Sequence, residues 1–426
     1  MDNKILIASI YLKNGKPVFS RNDHSPAGEL DDLAKIYNDN GIDKILLFDL
    51  SDDDDEHEIN LLAMRQFNRL SEIPTCGAGN IKRMEDIRRL MMAGCKQIML
   101  NAARNESLDL AKECATRYGK DVILASIHNV DFIFKHQADI ETLFHELYIM
   151  SGTVLDAVDI LSDTPYDIFY DGEDTKEIYD LLNRENARGV CGPFISDPKS
   201  DIMKLKNSLS EMGLTIDNFK PALRFSDLKL DANGLIPCVV QDYKTDEVLM
   251  VAYMNEESFD MTIASGKMTY FSRSRQEIWV KGATSGHVQY VKSLTADCDK
   301  DALLAKVSQI GVACHTGAYS CFFNDILQKR YDERKPLKIL ENLYLEILEK
   351  KISPEEGSYA NFLFDKGLDK ILEKLGAETS ELIIASKNSS VDQIKYEISD
   401  YIYHLIVLMV EKAITWEDIS QELSRK

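Results

Sequence analysis

The sequence predicts a multidomain protein in which a (β/α)8 barrel is followed by a small, mainly-β α+β domain and then by an all-α domain. In the first half of the 426 residues, short apolar runs alternate with amphipathic stretches, which is the pattern of strand-helix units. Strand-like runs separated by turn residues come next, and the last part carries apolar residues at helical spacing. The predicted domains are residues 1–221, 222–330 and 337–426.

Each predicted strand or helix is based on a short pattern of apolar residues. The eight barrel strands are predicted at residues 5–10, 44–49, 73–76, 97–100, 122–127, 147–150, 167–170 and 189–191. The strands of the second domain are predicted at residues 235–241, 248–253, 268–271, 278–280 and 288–293. In the third domain, the apolar spacing predicts helices over residues 368–384 and 391–410.

The overall composition excludes several classes of protein. A formal net charge of −21 argues against a nucleic-acid or membrane-surface partner, since both are anionic. Eight scattered cysteines are typical of a reducing compartment, and neither a signal-peptide pattern nor a membrane-length apolar run occurs. We therefore expect a cytoplasmic protein. An anionic substrate would need a local basic cluster, and Lys267, Arg273, Arg275 and Lys281 form one.

Residues 7–16 and 76–82 resemble the barrel enzymes of histidine biosynthesis, namely the ribotide isomerase and the synthase cyclase subunit. The resemblance implies a catalytic aspartate at the ends of the first and fifth strands, but Tyr11 and His128 stand there. Without those carboxylates the acid-base mechanism has no proton carriers, so we expect a degenerate barrel that is a scaffold, a dimerisation surface or a regulatory ligand site. Gly77 and Gly79 either hold a phosphate or form a tight turn.

A short segment of the second domain collects potential metal ligands of three chemical types: Asp297, Cys298, Asp299, Asp301, Cys314, His315 and Cys321. In an extended chain the three aspartates would point to one side and Cys298 to the other. This arrangement predicts oxygen ligands for Mg2+ on one face and thiolates for Zn2+ on the other. Three thiolates leave a zinc position open for water, with His315 as a nearby acid or base. The alternative is a solvated acidic loop and ordinary buried cysteines.

Together with residues 269–275 and 278–287, these motifs resemble phosphoribosyl-AMP cyclohydrolase, which opens the six-membered ring of an adenine nucleotide in histidine biosynthesis. The resemblance extends over roughly residues 222–326. It implies zinc at the three cysteines and a homodimer, because in that family the thiolates come from two subunits. The aspartates would hold Mg2+ near the phosphate or ribose of the substrate.

Ring opening requires water to add to an electron-poor carbon, which zinc makes feasible at neutral pH. The predicted substrate-binding residues offer positive charge, hydrogen bonds or a stacking surface: Arg273, Arg275, Trp279, Lys281, Gly282, Thr284 and Ser285. For Trp279 the alternative is an ordinary core position, and for the basic residues it is a solvated surface.

Four carboxylates of the third domain occur in pairs with a spacing of three residues. Glu378 and Glu381 share one predicted helix, and Glu397 and Asp400 share the next. The second pair lies among apolar residues, so a solvated surface is a poor explanation. Carboxylates converging between two helices make a Mg2+ site, and divalent metal activates phosphoanhydride cleavage.

This pattern, with Lys374 before it and His404 after it, resembles phosphoribosyl-ATP pyrophosphohydrolase of the all-α MazG-like group. Ala360 and Ala377 depart from the Thr and Glu of that family. The resemblance implies cleavage of phosphoribosyl-ATP to pyrophosphate and phosphoribosyl-AMP, with catalysis by the four carboxylates and substrate binding by Lys374. The product is the substrate of the preceding domain, as in the bifunctional enzyme of histidine biosynthesis.

Two other interpretations use the same residues. A zinc nucleobase deaminase fused to a nucleotide pyrophosphatase would share the metals, but the sequence lacks the His-x-Glu and Pro-Cys-x-x-Cys signature of those deaminases. A structural zinc clasp at a dimer interface would use the thiols without any turnover.

Overall fold

The computed structural model describes residues 3–104, 106–158, 160–161, 164–327, 336–354, 357–388 and 390–424. The chain divides into two compact units, Met1–Asp325 and Ile326–Lys426. Within the described residues, no helix combines the length and the apolar character needed to span a bilayer.

The first unit begins with a closed barrel. Its strands are β1 (Ile5–Lys13), β2 (Lys16–Val18), β3 (Lys44–Asp49), β4 (Thr75–Ala78), β5 (Gln97–Asn101), β6 (Ile123–Ile127), β7 (Glu146–Ile149), β8 (Tyr166–Phe169) and β9 (Ala187–Cys191). The short β2 forms an antiparallel hairpin with β1, while the other eight strands are parallel and a β1–β9 pairing closes the ring. The predicted (β/α)8 barrel is confirmed.

Helices alternate with the barrel strands: α1 (Leu30–Tyr37), α2 (Asp54–Leu70), α3 (Met84–Met92), α4 (Ser107–Tyr118), α5 (Val130–Leu143), α6 (Leu155–Val158), α7 (Thr175–Leu182), α8 (Pro193–Ser196) and α9 (Ile202–Glu211). The start of α2 shows why these residues form a helix: the Asp53 carboxylate accepts a hydrogen bond from the Glu56 N–H at 2.8 Å. The acidic residues after Asp53 stabilise the positive end of the helix dipole.

Side chains fill the inside of the barrel, so it is a packed core. Ile7, Leu46, Met99 and Leu124 meet there, and a second apolar layer lies between the strands and the helices.

An ionic cluster lies near the amino ends of the barrel strands. The Lys44 ammonium lies 2.6 Å from a Glu146 oxygen and 3.2 Å from an Asp167 oxygen, and all three residues are buried. This end of such barrels generally serves stability.

The rest of the first unit is a sheet domain. It contains β10 (Ile236–Asp242), β11 (Val248–Met254), α10 (Glu256–Ser265), β12 (Thr269–Ser272), β13 (Glu277–Val280), β14 (Gln289–Ala296) and β15 (Leu303–Gln309). The strand order is β13-β12-β11-β10-β15-β14, so β14 lies at one end of the sheet. The five predicted strands are present, but β15 was not predicted.

The second unit is helical. It contains α11 (Pro336–Ile352), α12 (Tyr359–Lys366), α13 (Leu368–Asn388), α14 (Val391–Glu411) and α15 (Trp416–Ser424). Ile347, Leu363, Ile371 and Ile406 form the centre of its core. The Ser390 hydroxyl caps α14 by accepting the Gln393 N–H at 3.4 Å, which fixes where the helix begins beside the end of α13. The two predicted helices are confirmed as α13 and α14.

Candidate active sites

Two of the three predicted zinc-binding thiols lie together in the sheet domain. The Cys314 N–H donates to the Ala318 carbonyl at 3.1 Å, and the Gly317 N–H donates back to the Cys314 carbonyl at 3.2 Å, which makes a tight loop. The Cys321 N–H donates to the Leu249 carbonyl at 2.7 Å and ties the end of this loop to β11. The loop therefore returns Cys321 to the side of Cys314.

The environment of the two thiols favours binding of a cation. A hydrogen bond from the Thr316 hydroxyl, 3.1 Å from the Cys314 sulfur, lowers the pKa of Cys314. Desolvation and then the adjacent Cys314 raise the pKa of Cys321. A thiol of lowered pKa beside a second thiol offers a suitable pair of ligands for a borderline metal such as zinc.

The aspartate segment departs from its prediction. Asp297 accepts hydrogen bonds from the N–H groups of Asp301 at 3.0 Å and Ala302 at 3.2 Å, so the chain turns instead of continuing as a strand. Lys300 has φ of +64°, in the left-handed region. Ligand atoms of Asp297, Cys298 and Asp299 lie within 4.8 Å of one another. The prediction of Cys298 on the opposite face from the aspartates is therefore wrong, because backbone N–H groups beyond β14 are captured by Asp297.

Asp301 belongs to the same acidic turn, since the charges of Asp299 and Asp297 raise its pKa. Cys298 stays with these aspartates. Among the described residues, the groups of three or more potential ligands within 4.8 Å are this turn and a cluster in the helical unit. One chain therefore brings Cys314 and Cys321 together but does not bring Cys298 to them.

The predicted basic residues lie in different environments. The Arg273 guanidinium lies 3.8 Å from the centre of the Tyr253 ring, and a cation–π contact of this kind orients it. Arg275 is exposed and pairs with Glu277 at 3.5 Å. The Lys281 ammonium is held by the His287 carbonyl at 3.2 Å and interacts electrostatically with both Cys321 and Cys314.

The remaining predicted substrate-binding residues surround a turn. Gly282 has φ of +87°, and a Cβ there would lie 2.5 Å from a backbone nitrogen, so glycine is required for the turn. Thr284 and Ser285 are exposed beside it, as is His315 in the thiol loop. Trp279 packs against Tyr270 with ring centroids 5.0 Å apart, which supports the alternative of a core position.

Three of the four predicted carboxylates of the helical unit converge. Glu378 and Glu381 of α13 and Glu397 of α14 place ligand atoms within 4.8 Å of one another. Gln393 donates a hydrogen bond to one oxygen of Glu397, while the other oxygen is buried and has no hydrogen-bond partner among the described residues. A buried carboxylate oxygen without a donor is costly unless a ligand supplies positive charge.

The residues around this cluster complete the site. The carboxylate of Asp400 hydrogen-bonds to Tyr396, so Asp400 lies beside the cluster and not within it. His404 Nδ1 lies 3.7 Å from a Glu378 oxygen and 2.9 Å from the Asp400 carbonyl, while its Nε2 lies 3.1 Å from the Tyr359 hydroxyl. These contacts orient the imidazole toward the carboxylates.

A cavity of about 450 Å3 opens next to the cluster, lined by Glu381, Ile384, Ala385, Ser390, Gln393 and Glu397. Lys374 precedes Glu378 by one turn of α13. The sequence prediction missed Gln393 and Ser390. The signal for Gln393 was its position four residues before Glu397 on the same helix.

The barrel shows features that fit a degenerate site. Tyr11 stacks on Phe48 with ring centroids 4.9 Å apart and lines a cavity of about 610 Å3. The charged residues lining this cavity are Asp171, Glu173 and Asp197, which would repel a phosphorylated substrate. His128, after β6, is exposed.

Gly77, within β4, and Gly79, just after it, have packing explanations. A Cβ on Gly79, where φ is +89°, would lie 2.2 Å from the Asp49 carbonyl oxygen, and one on Gly77 would lie 3.0 Å from Leu90. These contacts support the tight-turn alternative over the phosphate site.

Comparison with known proteins assigns each region to a family. Residues 250–323 match phosphoribosyl-AMP cyclohydrolase, residues 340–426 match phosphoribosyl-ATP pyrophosphohydrolase, and residues 5–160 match the histidine biosynthesis protein family. The histidine biosynthesis bifunctional protein HisIE of Caldanaerobacter subterraneus subsp. tengcongensis is 55% identical over 200 residues, which are 47% of this chain and 96% of that protein. The chain belongs to the HisIE family.

Other HisIE proteins agree with this assignment. The protein from Thermoanaerobacter pseudethanolicus is 52% identical, and the match covers 46% of this chain and 97% of that protein. The protein from Bacillus subtilis is 43% identical, and the match covers 47% of this chain and 95% of that protein. Like the HisIE family, the chain is a hydrolase with cyclohydrolase and pyrophosphohydrolase domains. These matches favour the bifunctional interpretation over the deaminase alternative.

Proposed function

We propose that the helical domain, residues 337–426, cleaves phosphoribosyl-ATP to pyrophosphate and phosphoribosyl-AMP, and that the sheet domain, residues 222–330, then opens the adenine ring of phosphoribosyl-AMP. The observation that carries the first step is the glutamate cluster beside its cavity, where Glu397 keeps a buried oxygen without a partner. The order comes from the chemistry, since the product of the first reaction is the substrate of the second. The barrel, residues 1–221, supplies no catalytic group to either reaction.

The carboxylates of the helical domain fit Mg2+. Glu378, Glu381 and Glu397 supply oxygen ligands, and Asp400 lies beside them as a further one. If Mg2+ is bound there, it would supply the positive charge that favours anhydride cleavage at the phosphate oxygens. Gln393 holds Glu397 in place, and Lys374 binds the substrate phosphates from the same side of α13.

The thiols fit zinc only with a contribution from a second copy of the chain. Cys314 and Cys321 offer two sulfurs, and a catalytic zinc site needs three protein ligands. Cys298 is exposed and supplies the third ligand to a partner copy. The apolar surface beside Cys321 supports this homodimer, because Phe322 and Phe323 are 63% and 52% exposed.

Zinc supplies the Lewis acidity that makes a water nucleophilic enough to attack the adenine ring. His315 accepts the proton of the attacking water and returns it to the ring nitrogen that leaves. Arg273, Arg275 and Lys281 bind the substrate phosphates, with hydrogen bonds from Thr284, Ser285 and the Gly282 backbone. Asp297, Asp299 and Asp301 would be the residues that hold a second Mg2+.

The test is to give the purified protein phosphoribosyl-ATP with Mg2+ and Zn2+ and to follow pyrophosphate together with the absorbance change of ring opening. We expect pyrophosphate release first and ring opening second. Pyrophosphate release alone from zinc-loaded protein would remove the ring-opening assignment from the sheet domain. Release of ammonia in place of ring opening would support the deaminase alternative.

A further inference from the structure

The strand that leads into Asp297 and Cys298 contains a β-bulge. Val291 pairs with Val307 but Ser293 pairs with Lys306, so Lys292 is the extra residue on β14. Bulges re-aim side chains and are frequent at sheet edges and beside active sites. The bulge lies on the terminal strand of the sheet, directly after the backbone hydrogen bond from Val291 N–H to the Gly266 carbonyl.

The barrel covers this bulge with acidic residues. The Lys292 ammonium lies 2.8 Å from an Asp39 oxygen, 3.1 Å from a Glu72 oxygen and 4.8 Å from the centre of the Tyr243 ring. The Tyr243 hydroxyl donates to Glu72 at 2.5 Å, and Lys244 lies 3.5 Å from the same carboxylate. The barrel thus contributes two acids and the sheet domain two lysines and a hydroxyl.

The position of these acids shows which face of the barrel is used. Asp39 lies between α1 and β3, and Glu72 lies between α2 and β4, so both occupy loops that lead into the amino ends of strands. Active sites of such barrels lie at the opposite, carboxyl ends. The sheet domain therefore contacts the barrel at the face that serves stability.

Asp39 is an almost fully buried acid, and Lys292 is the cation beside it. The Asp39 side chain is 4% exposed, and desolvation raises its pKa while the Lys292 hydrogen bond opposes the rise. A buried carboxylate that loses its cation is strongly destabilising, so the pair holds Lys292 in one position.

The bulge sets the register of the later residues of β14. From Ser293 to Ala296 every residue of β14 pairs regularly with β15, and Asp297 comes next. If the bulge closed, the register of this stretch would shift by one residue and each side chain would change faces. The positions of Asp297 and Cys298 therefore depend on the bulge at Lys292.

We propose that the barrel is an intramolecular clamp: Asp39 and Glu72 hold Lys292 and thereby position the Asp297–Cys298 segment for metal binding. The proposal rests on the proposed zinc site that includes Cys298. Asp39, Glu72 and Lys292 are positioning residues, because they act on the site through β14 and do not touch the substrate.

The first test is the Lys292→Met variant of the full chain. Zinc affinity, measured by chelator competition, and kcat for ring opening of phosphoribosyl-AMP should both fall about 10-fold, the size of effect expected when support of a metal ligand is lost. KM and pyrophosphate release should stay unchanged. The matched control is Lys306→Met, since Lys306 lies on the neighbouring β15 and pairs at 3.0 Å with Asp246 of its own domain. Equal effects of the two variants would overturn the proposal.

Two further variants separate positioning from stability. Lys292→Arg keeps the positive charge and should restore most of the zinc affinity. The double variant Asp39→Asn with Lys292→Met leaves no buried unpaired charge, so it should unfold at nearly the wild-type temperature while still binding zinc weakly. Wild-type zinc affinity in this double variant would mean that the contact serves stability alone.

Hydrogen exchange tests the clamp independently of the metal. Amides of residues 293–301 should exchange faster in Lys292→Met than in Lys306→Met. If the wild-type protein binds no zinc through Cys298, the proposed zinc site is wrong, whereas unchanged exchange in this segment contradicts the clamp itself.

Discussion

Carboxylates converge in both the barrel and the helical unit, but only the barrel provides them with a cation of its own. In the barrel, Lys44 lies between Glu146 and Asp167. In the helical unit, Glu378, Glu381 and Glu397 meet without any ion pair to lysine or arginine among the described residues. A cluster that contains its own cation is a structural element, whereas one that lacks a cation is suited to bind a metal ion.

The sheet domain is intermediate between the barrel and the helical unit in how its acidic residues are compensated. Its acidic turn has Lys229 at 3.6 Å from Asp299, a contact between two exposed side chains that contributes little. Its thiols are incomplete for a different reason, because Cys298 lies apart from Cys314 and Cys321. In the proposed function, the positive charge comes from a metal ion and one ligand comes from another copy of the chain.

The largest effect is expected for Glu397→Gln. Loss of this ligand should slow pyrophosphate release by about 10²–10³-fold, as for other groups that stabilise transition-state charge. Ring opening of supplied phosphoribosyl-AMP should be unaffected, and without Mg2+ the variant should be at least as stable as the wild type because like charges are removed. The matched control is Glu373→Gln on the neighbouring helix α13, where Glu373 pairs with Lys370 at 2.7 Å. Equal rates in the two variants would contradict the metal site.

A smaller effect, the partial recovery of ring opening, is expected when two inactive thiol variants are mixed. Cys298→Ala and Cys321→Ala should each lack ring opening. After exchange of subunits in an equal mixture, about half of the dimers are mixed and each has one intact site, so about a quarter of the wild-type activity should return. Pyrophosphate release is the internal control. No recovery in mixtures with demonstrated exchange would show that the site is not shared.

The smallest effect concerns pH and stability in the barrel. Desolvation and then the charge of Glu146 raise the pKa of Asp167 to about 7. The folded state therefore holds a proton that the unfolded state releases near pH 4, so stability falls as the pH rises from about 4 to about 7, by at most about 1.4 kcal/mol per pH unit. In the Asp167→Asn variant, the urea concentration at the unfolding midpoint should lose this part of its decrease with rising pH. Parallel pH profiles for the variant and the wild type would contradict it.

Features that are determined by neighbouring residues in the sequence could be predicted from it. The spacing of three residues places Glu378 and Glu381 on one helix face, and apolar runs marked all eight parallel barrel strands. β15 escaped prediction because its first residues, Leu303–Ala305 and Lys306, are good helix formers, and only pairing with β10 and β14 makes them a strand.

Features that depend on distant parts of the chain were not predictable. The turn after β14 arises because Asp297 captures backbone N–H groups, and the bulge at Lys292 arises from the register of two strands. Asp39 lies more than two hundred residues before Lys292, and no local pattern links them. The separation of Cys298 from the other thiols likewise depends on tertiary structure.

If the zinc site is shared between two chains, as proposed, the two reactions depend differently on protein concentration. A carboxylate cluster within one chain works at any dilution, while a zinc site built from two chains forms with the square of the chain concentration until the dimer is saturated. In a dilute solution the first product would accumulate and leave the enzyme. In a concentrated one it would be consumed as it forms, so the abundance of the chain itself would set how much intermediate is released.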